Sequence, residues 1–157
     1  MIFTLPKKMT DLRNEALVPP ERPLFRLSLI KGGMQIFNMS GETVAQILCY
    51  KDYKAVSVSD GGGVLVCERN GSVVIYPVNN EGEELRVEKK RGFEQLVFFG
   101  NYKTAHYEIF IKKEGEVKPK SLVQAVAHPL NERLVNVKVA DGENFLLAVA
   151  LCLALPD

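Results

Sequence analysis

Apolar and polar positions alternate along most of the chain in short runs that turn signals separate. Valine, isoleucine, phenylalanine and tyrosine dominate the runs, and glycine, asparagine and aspartate recur between them. The spacing of about 8–12 residues is typical of an antiparallel sandwich or barrel. Asn70-Gly71 gives the strongest hairpin signal, because a type I′ turn requires positive φ at both central residues. The pattern predicts eleven strands, at 24–30, 34–39, 43–49, 54–59, 64–69, 72–77, 84–89, 94–99, 105–112, 121–127 and 133–139.

The C-terminal segment has a different pattern. Residues 145–155 are all apolar and rich in leucine and alanine, and Asp141-Gly142-Glu143-Asn144 before them offers capping side chains. The segment predicts a helix over about 145–155, roughly 16 Å long, which is too short for the ~30 Å core of a bilayer. Because it has no polar face, such a helix must be surrounded by other elements.

These elements favour a mainly β fold, a closed antiparallel β-barrel of about 12 strands around the C-terminal hydrophobic helix, since only a wide barrel leaves room inside. A two-layer sandwich with the helix capping one end stays open as an alternative. Residues 1–23 hold Pro6, Pro19, Pro20 and Pro23 and predict an N-terminal extended arm. Residues 24–157 are then expected to form a single domain.

Two segments resemble the tubby C-terminal-like superfamily, and within it the LURP-one-related and prokaryotic tubby-like proteins. The tail Val135-Asn136-Val137-Lys138-Val139-Ala140-Asp141-Gly142-Glu143-Asn144-Phe145, continuing to Leu155, resembles the family's last strand, turn and helix. Met34-Gln35-Ile36-Phe37-Asn38-Met39-Ser40-Gly41-Glu42-Thr43-Val44-Ala45 resembles its early hairpin. The resemblance implies a twelve-stranded barrel around the helix. It implies no single function, because the family's activities include phosphoinositide binding, disputed lipid scrambling and defence-linked roles. Asn144 departs from the aspartate that LURP-one relatives commonly carry there.

Composition and charge narrow the class of protein. The 157 residues are 46% hydrophobic and 25% charged with a net charge of +1, which fits one soluble globular domain and disfavours a nucleic-acid binder. Pro6 interrupts the apolar N-terminus, so no signal peptide is predicted. Cys49, Cys67 and Cys152 match no zinc or redox spacing and predict buried free thiols. We therefore expect a cytoplasmic protein, with peripheral membrane association left open, and no metal or cofactor.

The candidate binding residues are basic. Residues 89–120 contain eight Lys or Arg against four Glu, and barrel loops that meet on one rim would attract anionic headgroups. Exposed lysines on turns are also common without any ligand. The predicted ligand-binding residues are Lys89, Lys90, Arg91, Lys112, Lys113, Lys118 and Lys120.

No catalytic residues are predicted. His106 and Glu108 share one face of a predicted strand, but two ligands fall short of a zinc site. The leading hypothesis is a non-catalytic binding or scaffold module of tubby-like type that contacts anionic phospholipid through its basic loops. One alternative is a structural or protein-interaction protein that forms a homo-oligomer through strands apolar on both faces. The other is a small-ligand carrier or enzyme with a rim pocket near His106 and Glu108.

Overall fold

A computed structural model describes residues 1–12, 15–59, 62–79, 86–87, 95–113 and 115–157. Over these residues the chain forms thirteen strands, a short 3-10 helix over Met9–Asp11 and one α-helix. The strands are β1 (Ile2–Pro6), β2 (Glu15–Val18), β3 (Phe25–Ile30), β4 (Gly33–Asn38), β5 (Thr43–Cys49), β6 (Tyr53–Val58), β7 (Gly63–Arg69), β8 (Ser72–Asn79), β9 (Arg86–Val87), β10 (Gln95–Asn101), β11 (His106–Lys112), β12 (Lys120–Ala127) and β13 (Leu134–Val139), and the helix is α1 (Phe145–Leu153).

All strand pairs are antiparallel and form two sheets. One has the order β1-β13-β12-β11-β10 and the other runs from β2 to β9 in sequence order. The mainly β class and the C-terminal helix are therefore confirmed. Asn70 and Gly71 have φ of 53° and 82°, as the predicted type I′ hairpin requires.

The closed barrel is not confirmed. Strand β8 lies beside β10, and β1 approaches β2. Among the described residues, however, no ladder of hydrogen bonds joins the two sheets at either place. Over the described residues, the fold therefore consists of two separate sheets with the helix between them.

The N-terminal segment is extended, but it does not stand apart as an arm. Strand β1 pairs with β13, with Phe3 opposite Val137, and β2 pairs with β3. Both are edge strands, and an edge position tolerates the missing N–H of Pro6 at the end of β1. Phe3 and Leu5 are buried. The N-terminal segment is therefore part of the hydrophobic core, whereas the sequence pattern predicted a core formed by residues after 24 alone.

Helix α1 occupies the space between the sheets. Asn144 caps it by accepting a hydrogen bond from Leu147 N at 3.0 Å, and every residue from Leu147 to Leu155 is buried. Phe145 packs against Phe3 of one sheet and Phe25 of the other, at ring distances of 5.0 and 5.7 Å. An entirely apolar helix is stable in water only when it is enclosed in this way.

Candidate functional site

The predicted basic residues fall into a described and an undescribed group. Lys89, Lys90 and Arg91 lie outside the described residues. The other four lie together, because β11 and β12 pair with Ile111 opposite Lys120 and so bring both ends of their connection close. We call this connection the β11–β12 loop, of which residues 113 and 115–119 are described. It lies at the end of the fold where α1 begins.

Two of these lysines are already paired with carboxylates. Lys113 Nζ lies 2.9 Å from Glu143 Oε2, and Lys120 Nζ lies 2.8 Å from Glu116 Oε2. The hydrogen bond from Lys120 lowers the pKa of Glu116, and the same bond raises the pKa of Lys120. The positive charge of the loop is therefore smaller than a count of its lysines suggests.

The tip of the β11–β12 loop combines an apolar and a cationic side chain. Val117 is 89% exposed, and the neighbouring Lys118 is exposed as well. Within the described part of the chain, Lys118 forms no ion pair. Because an almost fully exposed valine lies beside an unpaired lysine, this tip is open to a partner.

His106 and Glu108 do not come together with further ligands. His106 is exposed, and its Nδ1 lies 3.0 Å from the carbonyl oxygen of Thr104. Glu108 Oε2 accepts a hydrogen bond from Gln124 Nε2 at 3.0 Å. In the described ranges, no group of three or more His, Cys, Asp and Glu side chains could hold a metal ion.

The three cysteines occupy different environments. Cys152 is buried, as predicted. The prediction of burial is wrong for Cys49, which is exposed at the end of β5, and for Cys67 in β7, which is only half-buried. Burial raises the pKa of the Cys152 thiol to about 12, and a hydrogen bond from the Tyr107 hydroxyl opposes this rise. The thiol of Cys152 is thus a packed core group.

The structure brings together a second group of charged residues that the sequence analysis missed. Lys54 projects from β6 into the interior and is only 6% exposed. Its Nζ donates hydrogen bonds to the carbonyl oxygen of Leu155 at 2.8 Å and to Asp157 Oδ1 at 3.0 Å. A cation near the C-terminal end of a helix is stabilising, because the backbone carbonyls there carry partial negative charge. The sequence contained one signal for this contact: in β6, Lys54 lies on the same strand face as the inward-facing Val56 and Val58.

Beside this contact lies a cavity of about 190 Å³, which we call the helix-end cavity. Tyr102, Tyr107 and Val135 form part of its wall, together with Leu155 and Pro156 after the helix. Three lysines also line it: Lys7 and Lys8 after β1, and Lys103 in the β10–β11 turn. These residues are far apart in the sequence, so no local sequence motif predicts the cavity.

The fold and these two surfaces define a class: a mainly β protein of two antiparallel sheets enclosing an apolar helix, with a cationic group at each end of that helix. Comparison of the chain with protein-family models, with curated proteins and with solved structures gives no match. Of the helices formed by the described residues, none has the length and hydropathy needed to cross a bilayer.

Proposed function

We propose that this chain is a non-catalytic binding module of tubby-like type that contacts anionic phospholipid through the β11–β12 loop. The observation that carries the proposal is the exposure of Val117 next to Lys118. Val117 has 89% of its surface in water, and moving that apolar surface out of water into the membrane interface lowers the free energy of the system. A lysine near an anionic surface contributes about 1 kcal/mol.

Because two lysines of the β11–β12 loop are paired with carboxylates, its contact with the membrane is expected to be weak and reversible. Glu116 and Glu143 neutralise Lys120 and Lys113, so the attraction at the tip rests on Lys118 together with the apolar contact of Val117. Such binding depends on lipid charge and on ionic strength, because exposed charges are screened by salt. The location that follows is the surface of a membrane, with no spanning segment required.

Vesicle co-sedimentation tests the proposal. We expect the chain to sediment with phosphatidylcholine vesicles that contain phosphatidylserine, and to remain in solution with phosphatidylcholine alone. Lys118→Gln should weaken binding about fivefold, which corresponds to the loss of one lysine near the surface. Val117→Asp should abolish it.

Leu130 provides the matched control. It is 92% exposed in the connection that follows β12, at the opposite end of that strand from Val117. Leu130→Asp makes the same chemical change at an equally exposed site, and we expect it to leave vesicle binding unchanged. Binding that ignores lipid charge and salt, or an equal loss in the two aspartate variants, would contradict the proposal.

A second candidate function is self-association through the outer face of the eight-stranded sheet. Leu48, Ala55, Leu65 and Tyr76 stand opposite one another across β5, β6, β7 and β8. They alternate with buried residues and so form an apolar row on the outer face. Outer faces of antiparallel sheets are normally polar. Light scattering across a range of concentrations tests this candidate, and a strict monomer at high concentration excludes it.

A further inference from the structure

We propose that the helix-end cavity binds a small organic anion, with a carboxylate or phosphate group held by Lys7, Lys8 and Lys103 and an apolar body placed against Val135 and Leu155. This site lies at the opposite end of α1 from the β11–β12 loop and does not depend on the proposed lipid contact.

The first argument is the state of the lysines. Lys7, Lys8 and Lys103 all line the cavity, and none of them forms an ion pair with a carboxylate in the described part of the chain. Lys103 Nζ also lies 5.9 Å from the centre of the Tyr102 ring. Three unpaired cations around one small cavity create a positive potential that an anion would neutralise.

The second argument is a buried polar group without a partner. Tyr102 is 7% exposed and lines the same cavity. Its hydroxyl oxygen is fully buried and has no hydrogen-bond partner among the described residues. Buried hydroxyl groups are almost always hydrogen-bonded. Because the hydroxyl oxygen has no accessible surface in the unliganded chain, the Tyr102 side chain has to turn towards the cavity before its O–H can donate to the anion. The anion then supplies the missing acceptor.

The negative charges near the cavity are partly compensated by Lys54. The C-terminal end of a helix repels anions, and Asp157 also lines the cavity. Lys54 offsets part of both, because its ammonium group donates to Leu155 O and to Asp157 Oδ1. The other three lysines are therefore left for a ligand.

Size and lining define the class of ligand. An apolar cavity of roughly 150 Å³ holds benzene, and the helix-end cavity measures about 190 Å³. Val135, Leu155 and Pro156 supply an apolar surface. A bare inorganic ion would leave that surface unused. The fit is to an aromatic or short aliphatic molecule that carries one anionic group.

Amide NMR titration with benzoate, benzyl alcohol and inorganic phosphate tests the proposal. We expect benzoate to shift the resonances of Tyr102, Ala105 and Tyr107 with saturation. Benzyl alcohol has nearly the same body without the charge and should bind at least about tenfold more weakly, as expected for loss of charge-assisted hydrogen bonds. Phosphate, which lacks an apolar body, should also bind more weakly than benzoate.

Two variants separate a binding site from a structural feature. The triple variant Lys7→Gln, Lys8→Gln and Lys103→Gln should lose benzoate affinity about tenfold or more. Tyr102→Phe should weaken benzoate binding and, at the same time, raise the melting temperature of the unliganded chain, because it removes a buried hydroxyl that has no partner. A purely structural tyrosine would not move the two measurements in these opposite directions.

A charge-matched control completes the design. Arg22→Gln, Lys31→Gln and Lys138→Gln remove the same charge from exposed positions outside the cavity, and benzoate affinity should change by less than about twofold. The proposal is overturned if benzoate gives no saturable shift, if benzyl alcohol binds equally well, or if the two triple variants lose the same affinity.

Discussion

Replacing Lys54 by methionine tests the contact that holds the C-terminal end of α1. The ammonium group of Lys54 is buried and donates to Leu155 O at 2.8 Å and to Asp157 Oδ1 at 3.0 Å. Methionine fills a similar volume and removes both hydrogen bonds. The carbonyl oxygen of Leu155, a buried residue, is then left without this donor.

The expected cost follows from these two contacts. A buried acceptor left unsatisfied costs about 1–3 kcal/mol, and loss of a cation at a helix C-terminus costs about 0.3–1 kcal/mol, or more where it is partly buried. Relief of the buried charge offsets part of this sum. We expect Lys54→Met to lower the free energy of unfolding by about 1–3 kcal/mol, and the melting temperature by about 2–4 °C per kcal/mol.

Thermal and urea denaturation followed by circular dichroism measures this change, and Asp157→Asn separates the two contacts. Because the Asp157 side chain is 60% exposed, its ion pair contributes at most about 1 kcal/mol. Most of the cost of Lys54→Met should therefore persist in the Asp157→Asn background. A Lys54→Met chain as stable as the original would refute the claim that this lysine fixes the end of the helix.

Three further predictions concern the core. Leu151→Asp should leave the chain unfolded, with no cooperative unfolding transition, because it places a lone charge in a fully buried position. Leu151→Met should lower the free energy of unfolding by less than about 1.5 kcal/mol. Gly33→Ala should destabilise the chain by about 1–3 kcal/mol or more in urea denaturation, since the added Cβ would lie 1.9 Å from Ile47 O. Cys152, with a thiol pKa of about 12, has only about one thiolate in ten thousand near pH 8. A disulfide reagent should therefore label Cys49 in the native chain and Cys152 only after unfolding.

Each of these core predictions has an opposing outcome. A soluble, folded Leu151→Asp chain would place α1 at the surface. An unchanged urea midpoint for Gly33→Ala would mean that β4 and β5 can separate at no cost. Rapid labelling of native Cys152 would show that the two sheets open readily around the helix.

Strand positions could be predicted from the sequence because the signals for them are local. Asn70-Gly71 fixes a hairpin by its own backbone preferences, and the uncharged run 145–155 requires enclosure wherever it lies. Strands β1 and β2 were missed because proline normally argues against a strand. The argument fails at a sheet edge, and which strand lies at an edge depends on the pairing of the whole fold.

The helix-end cavity could not be predicted, because its residues converge only through tertiary pairing. Lys7 reaches it through the pairing of β1 with β13, and Lys103 through the β10–β11 turn. The predicted basic loops had the opposite difficulty. Their lysines were visible in the sequence, but the pairing of Lys113 with Glu143 depends on where α1 begins, and this pairing reduces the charge that the sequence appeared to offer.

Helix α1 gives the two proposed surfaces a common support. At its start, Glu143 precedes the N-cap and contacts Lys113 of the β11–β12 loop. At its end, Leu155 lines the helix-end cavity and accepts a hydrogen bond from Lys54. Leu151→Asp, which is expected to unfold the chain, should therefore remove vesicle binding and benzoate binding together. Substitutions at Lys118 or at the cavity lysines should remove one and leave the other. We therefore expect the two proposed activities to be lost independently when either end of the helix is altered. Independent loss would distinguish two sites on one scaffold from a single diffuse attraction for anions.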